Sequence, residues 1–269
     1  MSIRLGISIR NMGPQSAAST MADIAVAADQ AGLDSLWVAD HIAIPKDESS
    51  GSEGRYLDPL ATLAWLAGKT ERIKLGTGVL VLPYRETLAT AKSIASIQEL
   101  SGNRLLLGVG IGWMKAEFRA VGKSFKNRVT DSVDVLQFLQ TCFTSDEVVR
   151  HGQHFLFSPQ PAKPPIYMGG SAPHAIDRAL RYADGWMPMG ELSHLAIEIA
   201  NYKSRSAALG RPDPEVVTFC NVDGFTIADV QKLLESYEAA GVTTLVASRP
   251  YADASDWLGT IDILTGAIQ

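Results

Sequence analysis

The sequence predicts a single closed (β/α)8 barrel, and two observations carry that prediction. Short apolar runs alternate with longer amphipathic ones along the whole chain, giving about eight strand–helix pairs. The strands are apolar on both faces, as a buried parallel sheet requires. A third observation removes the main alternative. A doubly wound sheet places a Gly-rich turn directly after its first strand, and Ile9-Arg10-Asn11-Met12-Gly13-Pro14 is not one. Eight pairs in 269 residues leave little for a second core. One α/β barrel ordinarily takes about 250 residues, so residues 1–269 are read as one domain.

In chain order, Leu5 to Ile9 is the first strand and Ser19 to Ala31 the first helix, stopped by Gly32. Ser35 to Ala39 is the second strand. Asp58 as N-cap and Pro59 in the first turn start a helix that runs to about Thr70. Ile73 to Leu80 is strand three, Glu86 to Leu100 a helix, Arg104 to Val109 strand four, and Asp131 to Phe143 a helix. From about Asp146 to Pro165 the rhythm breaks. The His151-Gly152-Gln153-His154-Phe155 turn and three prolines form an extended excursion before strand five. Ile166 to Met168 and Gly185 to Pro188 are strands five and six, with a helix from Pro173 to Ala183 between them. Leu195 to Leu209 is a helix ended by Gly210. Val216 to Asn221 and Thr244 to Ala247 are the last two strands, followed by helices Ala228 to Ala240 and Asp253 to Ile268.

Composition excludes several classes. Hydrophobic residues make up 46% and charged residues 20%, which suits a globular core. With 24 basic and 29 acidic residues the net charge is −5, giving no overall electrostatic footprint for nucleic acid. Cys142 and Cys220 lack metal-ligand spacing and read as small buried hydrophobes in a reducing compartment. The run Met1-Ser2-Ile3-Arg4-Leu5-Gly6 lacks a signal-peptide core, and no apolar stretch is long enough to span a membrane. A cytoplasmic location is expected.

In a barrel the chemistry sits where strands end, at the carboxyl face. Strand two ends Trp37-Val38-Ala39-Asp40-His41. A His there can relay a proton near neutral pH, and the Asp can orient it or meet the substrate. The plainer alternative is a turn cap and a satisfied loop residue. The loop from His41 to Asp58 is long and polar, as a mobile lid or a tolerated insertion would be. Strands three and four end Gly76-Thr77-Gly78-Val79-Leu80 and Gly108-Val109-Gly110-Ile111-Gly112-Trp113. Neither fits a dinucleotide fingerprint. Absent side chains at adjacent strand ends let a flat ligand lie on backbone, or serve a tightly packed interior. Gly169-Gly170-Ser171 ahead of a helix suits a phosphate, or is a simple turn. A basic run, Lys115, Arg119, Lys123, Lys126 and Arg128 against the single acid Glu117, could receive an anionic tail. His151, His154, His174 and His194 share no metal spacing, and no metal is expected.

At these residues the sequence resembles the bacterial luciferase-like superfamily, in particular its shorter deazaflavin (coenzyme F420)-dependent oxidoreductases. The resemblance covers essentially the whole chain, and its carriers are Gly32 to His41, Ile73 to Leu80, Arg104 to Trp113, Pro165 to Gly170 and Ala183-Asp184-Gly185-Trp186. The resemblance implies a TIM barrel with a cofactor at its carboxyl face. It implies a bulge in strand three with a non-prolyl cis peptide at Gly78–Val79, and a cofactor phosphate at Gly169-Gly170. Thr77, Gly78, Val79, Gly110, Gly112, Gly169, Gly170 and Ser171 are then cofactor-binding residues. The Asp40-His41 pair stands beside the ring, His41 as acid/base and Asp40 in contact with ring or substrate.

A hydride would pass between the deazaflavin C5 and a small-molecule substrate. The basic run would meet the polyglutamate tail of F420, and dimers are common in the family. Sugar-phosphate dehydrogenases of this group carry a Trp at Ile44 and an acid at Trp113, so Ile44 and Trp113 imply a less polar substrate. The alternative cofactor is FMN, in a monooxygenase that uses reduced flavin and oxygen. A third reading is a non-catalytic barrel that binds a flavin-like molecule.

Overall fold

The computed structural model describes residues 3–211 and 213–268; Met1 and Ser2 of the N-terminal run lie outside them. Strands and helices alternate from β1 (Arg4–Ser8) and α1 (Ala18–Gln30) through β2 (Ser35–Val38), α2 (Pro59–Ala67), β3 (Lys74–Val81) and α3 (Thr87–Leu100). β4 (Leu105–Gly110) is followed by a short α4 (Lys115–Ala120), α5 (Arg128–Thr144) and the two small strands β5 (Glu147–Arg150) and β6 (Gln153–Leu156). Then come β7 (Ile166–Gly169), α6 (His174–Tyr182), β8 (Gly185–Met187), α7 (Leu192–Ala208), β9 (Glu215–Asn221), α8 (Ile227–Ala239), β10 (Thr244–Ser248) and α9 (Ala254–Ile268).

Eight strands close in the order β1-β10-β9-β8-β7-β4-β3-β2, every neighbour parallel. This is the (β/α)8 TIM barrel that the alternation predicts. Local chemistry explains the boundaries. Asp58 Oδ1 accepts the Ala61 N–H at 3.0 Å with Pro59 in the first turn, so α2 starts where expected; it stops at Ala67, before Gly68. α5 starts three residues earlier than its apolar period suggests, and the excursion before β7 holds an antiparallel hairpin, β5–β6. His151 and Gly152 both have positive φ, 51° and 78°, the requirement of a tight two-residue hairpin turn.

Most of the core lies between the barrel and its helices, and a second cluster fills the barrel itself. Trp37, Leu106, Tyr167, Met187, Val217 and Val246 pack there, so the interior is solid and not a pore. Two strand glycines exist for that packing. A Cβ on Gly76 would stand 2.2 Å from the Trp37 ring, and one on Gly108 2.1 Å from the Thr77 carbonyl. At the amino-terminal end Arg4 pairs with Glu215 at 2.5 Å and donates to Thr244 Oγ1 at 3.0 Å, while the Tyr167 hydroxyl donates to Glu215. That end is closed by polar groups.

Asp29, at the end of α1, holds the turn into β3. Its carboxylate accepts the N–H groups of Glu71, Arg72 and Ile73 at 2.7, 3.0 and 2.7 Å. Burial pushes this carboxyl up, but the backbone donors outweigh it and hold it below the ordinary range. A depressed carboxylate stabilises the fold above its unfolded pKa of about 3.9, and that contribution disappears as pH falls through the lower folded value. Asp29→Asn is therefore expected to cost about 1–3 kcal/mol at pH 7. Urea unfolding of both proteins down to acid pH should find the difference shrinking below about pH 3.9.

Candidate active site at the carboxyl end of the barrel

β3 and β4 run in register until Thr77 faces Leu107; beyond the shift Leu80 faces Val109. Gly78 and Val79 stand out as the bulge, and the peptide bond between them is cis. Thr77, fully buried, donates its hydroxyl to the Gly108 carbonyl at 2.7 Å and clamps the strand where the bulge begins. The Val79 side chain then lies across two neighbouring strand ends. A Cβ on Gly110 would stand 2.6 Å from Val79 Cγ2, and one on Gly169 2.8 Å from Val79 Cγ1. Glycine at these ends makes room for Val79, and Val79 itself becomes the apolar floor.

Above it lies a cleft of 330 Å³. Gly78, Val79, Met187 and Phe219 form its floor, Gly110, Ile111, Gly112 and Trp113 one side, and Gly169, Gly170 and Ser171 the other. Met189 completes the rim, and among the described residues no charged side chain lines it. Trp113, 66% exposed, supplies the aromatic wall at the mouth.

His41 is not among the lining residues and stands behind the Trp113 edge. Its ring packs between Tyr56 and Trp113, with centroids at 5.0 and 6.2 Å. Nδ1 lies 3.0 Å from Glu117 Oε2. Glu117 also accepts the Tyr84 hydroxyl at 2.9 Å and the N–H groups of Ile42 and Ala43 at 2.6 and 3.0 Å. Burial pushes this carboxyl up, but the four donors outweigh burial and hold it below the ordinary carboxylate range. An ionised carboxylate only accepts, so Nδ1 carries the proton and Nε2 is the nitrogen left to exchange one.

Other predicted residues lie elsewhere. Asp40 has no exposed side-chain surface. Its oxygens accept the Val81 N–H at 2.8 Å and both terminal nitrogens of Arg85 at 2.6 and 3.0 Å. Arg85 continues to Asp58 at 2.7 Å. Asp40, expected beside ring or substrate, lies outside the cleft lining and forms a brace joining the ends of β2 and β3 to the cap of α2. Thr77 is likewise behind the cleft, and Ile44 is half-buried in the loop after β2, outside the cleft lining.

That loop is tied down. Buried Asn11 bonds Ala39 on both its N–H and C=O and the Leu57 carbonyl, Arg55 donates to Ser16, and Arg10 to the Gly51 carbonyl. The basic run divides: Lys123 pairs with Glu86 at 2.7 Å, Lys115 and Arg128 lie over the Phe125 ring, and Arg119 and Lys126 are exposed. Cys142 is buried as expected, its thiol pushed up to about 11 by burial, whereas Cys220 is half-buried. Among the described residues no group of three or more His, Cys, Asp or Glu could hold a metal ion, and no helix is long and apolar enough to cross a membrane.

The family model of the luciferase-like monooxygenases matches residues 2–262. The chain belongs to that family. An uncharacterized protein of Mycobacterium tuberculosis (strain ATCC 25618 / H37Rv) is 31% identical over 245 residues, covering 83% of this chain and 82% of its own. The F420-dependent hydroxymycolic acid dehydrogenase of the same organism is 30% identical over 199 residues, covering 71% of this chain and 54% of that protein. The FMNH2-dependent dimethylsulfone monooxygenase of Pseudomonas putida is 30% identical over 157 residues, covering 54% and 43%. Among solved structures, an F420-dependent secondary alcohol dehydrogenase in complex with an F420-acetone adduct superposes with a TM-score of 0.82 at 16% identity, covering 99% of each chain. It shares the fold.

Within this luciferase-like barrel the residue that sequence reasoning missed is Glu117. It counted as the lone acid of a basic run. The one signal for it was its place beside Phe118, since an apolar neighbour marks a docked helix. Glu117→Ala would leave Tyr84 and two backbone N–H groups buried without an acceptor, at about 3–5 kcal/mol. At the floor, Gly110→Val is expected to force Val79 into the cleft and weaken ligand binding about tenfold or more, at an overpacking cost of about 1–3 kcal/mol. Fluorescence titration of a flavin or deazaflavin, alongside thermal unfolding, separates the two effects.

Proposed function

We propose that the protein is an F420-dependent oxidoreductase acting on a small, rather apolar organic substrate, with His41 as its acid/base. The observation that carries this reading is His41 held by an ionised, buried Glu117 at the edge of an uncharged, glycine-lined cleft. The residues fit a flat ring: Val79 supplies the backing, and the missing side chains at Gly78, Gly110 and Gly169 keep the cradle open. At 330 Å³ it lies within the usual range of small-molecule sites, about 300–1,000 Å³. Gly170 and Ser171 would hold the phosphate. A deazaflavin bound there supplies a carbon that gives or accepts a hydride.

The chain's own residues do the rest. His41 Nε2 takes or returns the substrate proton, Glu117 fixes the ring and its tautomer, and Trp113 shields the mouth from water. The apolar Trp113 rim favours a substrate less polar than a sugar phosphate. The F420-dependent dehydrogenase relative supports the cofactor choice. A second reading, an FMN-dependent monooxygenase, is favoured by the FMNH2-dependent relative and by a Gly169–Ser171 turn equally suited to an FMN phosphate.

Side-by-side fluorescence titration with F420 and FMN tests the choice: the expected result is tighter F420 binding, and a clear FMN preference selects the monooxygenase. With either cofactor bound, His41→Ala is expected to abolish about 10²–10⁴-fold of turnover. Unchanged turnover removes His41 from the chemistry, and no turnover by wild type with any substrate favours a binding protein. Glu117→Gln is expected to lower kcat about 10²-fold with the cofactor Kd little changed. Because the Glu117 carboxyl is depressed, its hold on His41 is present above about pH 4.3 and lost only as pH falls through its lower folded value. The wild-type pH profile above about pH 5 should therefore contain no limb from Glu117.

A further inference from the structure

The mouth of the barrel has two unlike halves. The glycine-lined cleft stands on the ends of β3, β4, β7 and β8, with Phe219 of β9 at its border. The other half, on β10, β1 and β2, is polar. Ser8 pairs in register with Trp37, whose ring fills the lumen, so Ser8 faces inward. Val246 fills the lumen from β10, and alternation points Ser248 the same way one layer up. Carried two residues past Ser8, the same alternation brings Arg10 above it. Both serines are partly exposed. Side chains that point into a lumen plugged from below meet solvent only through its open end. The Ser248 hydroxyl donates to the Cys220 carbonyl at 3.1 Å, whereas among the described residues the Ser8 hydroxyl has no partner.

Arg10 is held in place but not neutralised. Its backbone N–H donates to the Tyr251 hydroxyl at 2.8 Å, and one terminal nitrogen to the Gly51 carbonyl at 2.6 Å. Its Nε–H is shut away from water without an acceptor. Among the described residues Arg10 makes no ion pair. The acids of the neighbouring elements are spent elsewhere: Asp40 on Arg85, Glu117 on His41 and Tyr84, Asp253 and Asp256 on the amides of Ser255 and Ala252. Asp47, Glu48 and Glu53, in the loop after β2, are exposed. Tyr56 joins this cation to the histidine. Its ring packs on His41 at 5.0 Å, and burial pushes its phenol up while the Arg10 charge pulls it down.

A guanidinium with an empty dry donor beside an unpartnered hydroxyl is unfavourable until an acceptor completes it. The position sets this corner apart from the Gly169–Ser171 turn. β1 lies four strands from β7 in either direction round the barrel, so Arg10 stands across the mouth from that turn. One guanidinium fork matches one planar, singly charged group, which is a carboxylate. We infer that the β10–β1–β2 half of the mouth seats the substrate, and that Arg10, with Ser8 below it, selects substrates carrying a carboxylate on an otherwise apolar body. The apolar body lies toward Trp113 and the carboxylate toward β1, with His41 packed between Trp113 and Tyr56. This names the substrate class for the oxidoreductase reading and rests on it for the reaction; the carboxylate seat stands without it.

Butyrate, hexanoate and benzoate, each beside its neutral amide, serve as probes in tryptophan-fluorescence titrations of the purified protein. At least one acid is expected to bind about tenfold or more tighter than its amide. Arg10→Met should weaken that acid about 10–100-fold and leave the amide unchanged. Arg10→Lys, the milder variant, keeps the charge without the fork and should lose about tenfold for the acid alone. Ser8→Ala should weaken the acid about 2–10-fold. F420 and FMN should bind Arg10→Met as they bind wild type. Parity of acids and amides in wild type, equal losses for both in either Arg10 variant, or an undiminished acid preference there overturns the seat and leaves the cofactor reading standing. An acid preference lost with Arg10, in a protein that binds neither F420 nor FMN, overturns the cofactor reading and leaves the seat.

Discussion

One buried carboxylate organises the mouth of this barrel. Glu117, with 1% of its side chain exposed, gathers donors from the chain just after β2, from Tyr84 after β3 and from the His41 ring. A helix of six residues such as α4 has no stability alone, so its position is set by what it docks against. Glu117 binds on one side, and Phe118 packs on Tyr84 and Phe125 at 5.0 and 5.2 Å on the other. The same contacts that hold α4 down fix the ring of His41. Structure and chemistry at this corner are therefore one problem: a change that frees α4 also frees the histidine.

How much of this was legible in the sequence follows from the range of each signal. The alternation of apolar and amphipathic runs is local, and it predicted the barrel with most strands within one residue of their observed ends. Asp58-Pro59 marked the start of α2 for the same reason. The glycines at the ends of β3, β4 and β7 pointed to the site because each strand end carries its own mark. Glu117 did not, since its partner His41 is 76 residues away and α4 is too short to display a period. The Asp40–Arg85 brace was illegible for a similar reason, since nothing near Asp40 in the sequence announces Arg85, 45 residues on. The β5–β6 hairpin showed only its turn, because the strands are four residues each and mostly exposed.

The two ends of the barrel divide the work. At the carboxyl end, glycines, a bulge and aromatic rings keep a cleft open. At the amino-terminal end, Arg4, Glu215, Tyr167 and Thr244 tie four strand starts together, and the Arg4–Glu215 ion pair among them is partly solvated. Such pairs avoid most of the desolvation that penalises fully buried ones. Between them, Trp37 and its neighbours fill the lumen, and the exchange of Cβ atoms for indole at Gly76 leaves no slack.

That solid lumen has a kinetic consequence. A vessel with one mouth imposes an order on what enters it. A ligand seated against Val79 covers the floor, and one seated at Trp113 closes the rim above it. The deeper ligand has to arrive first and leave last. Any two ligands that shared this cleft would therefore bind in order, the floor-seated one first, because Trp37, Tyr167 and Val79 plug the barrel beneath it.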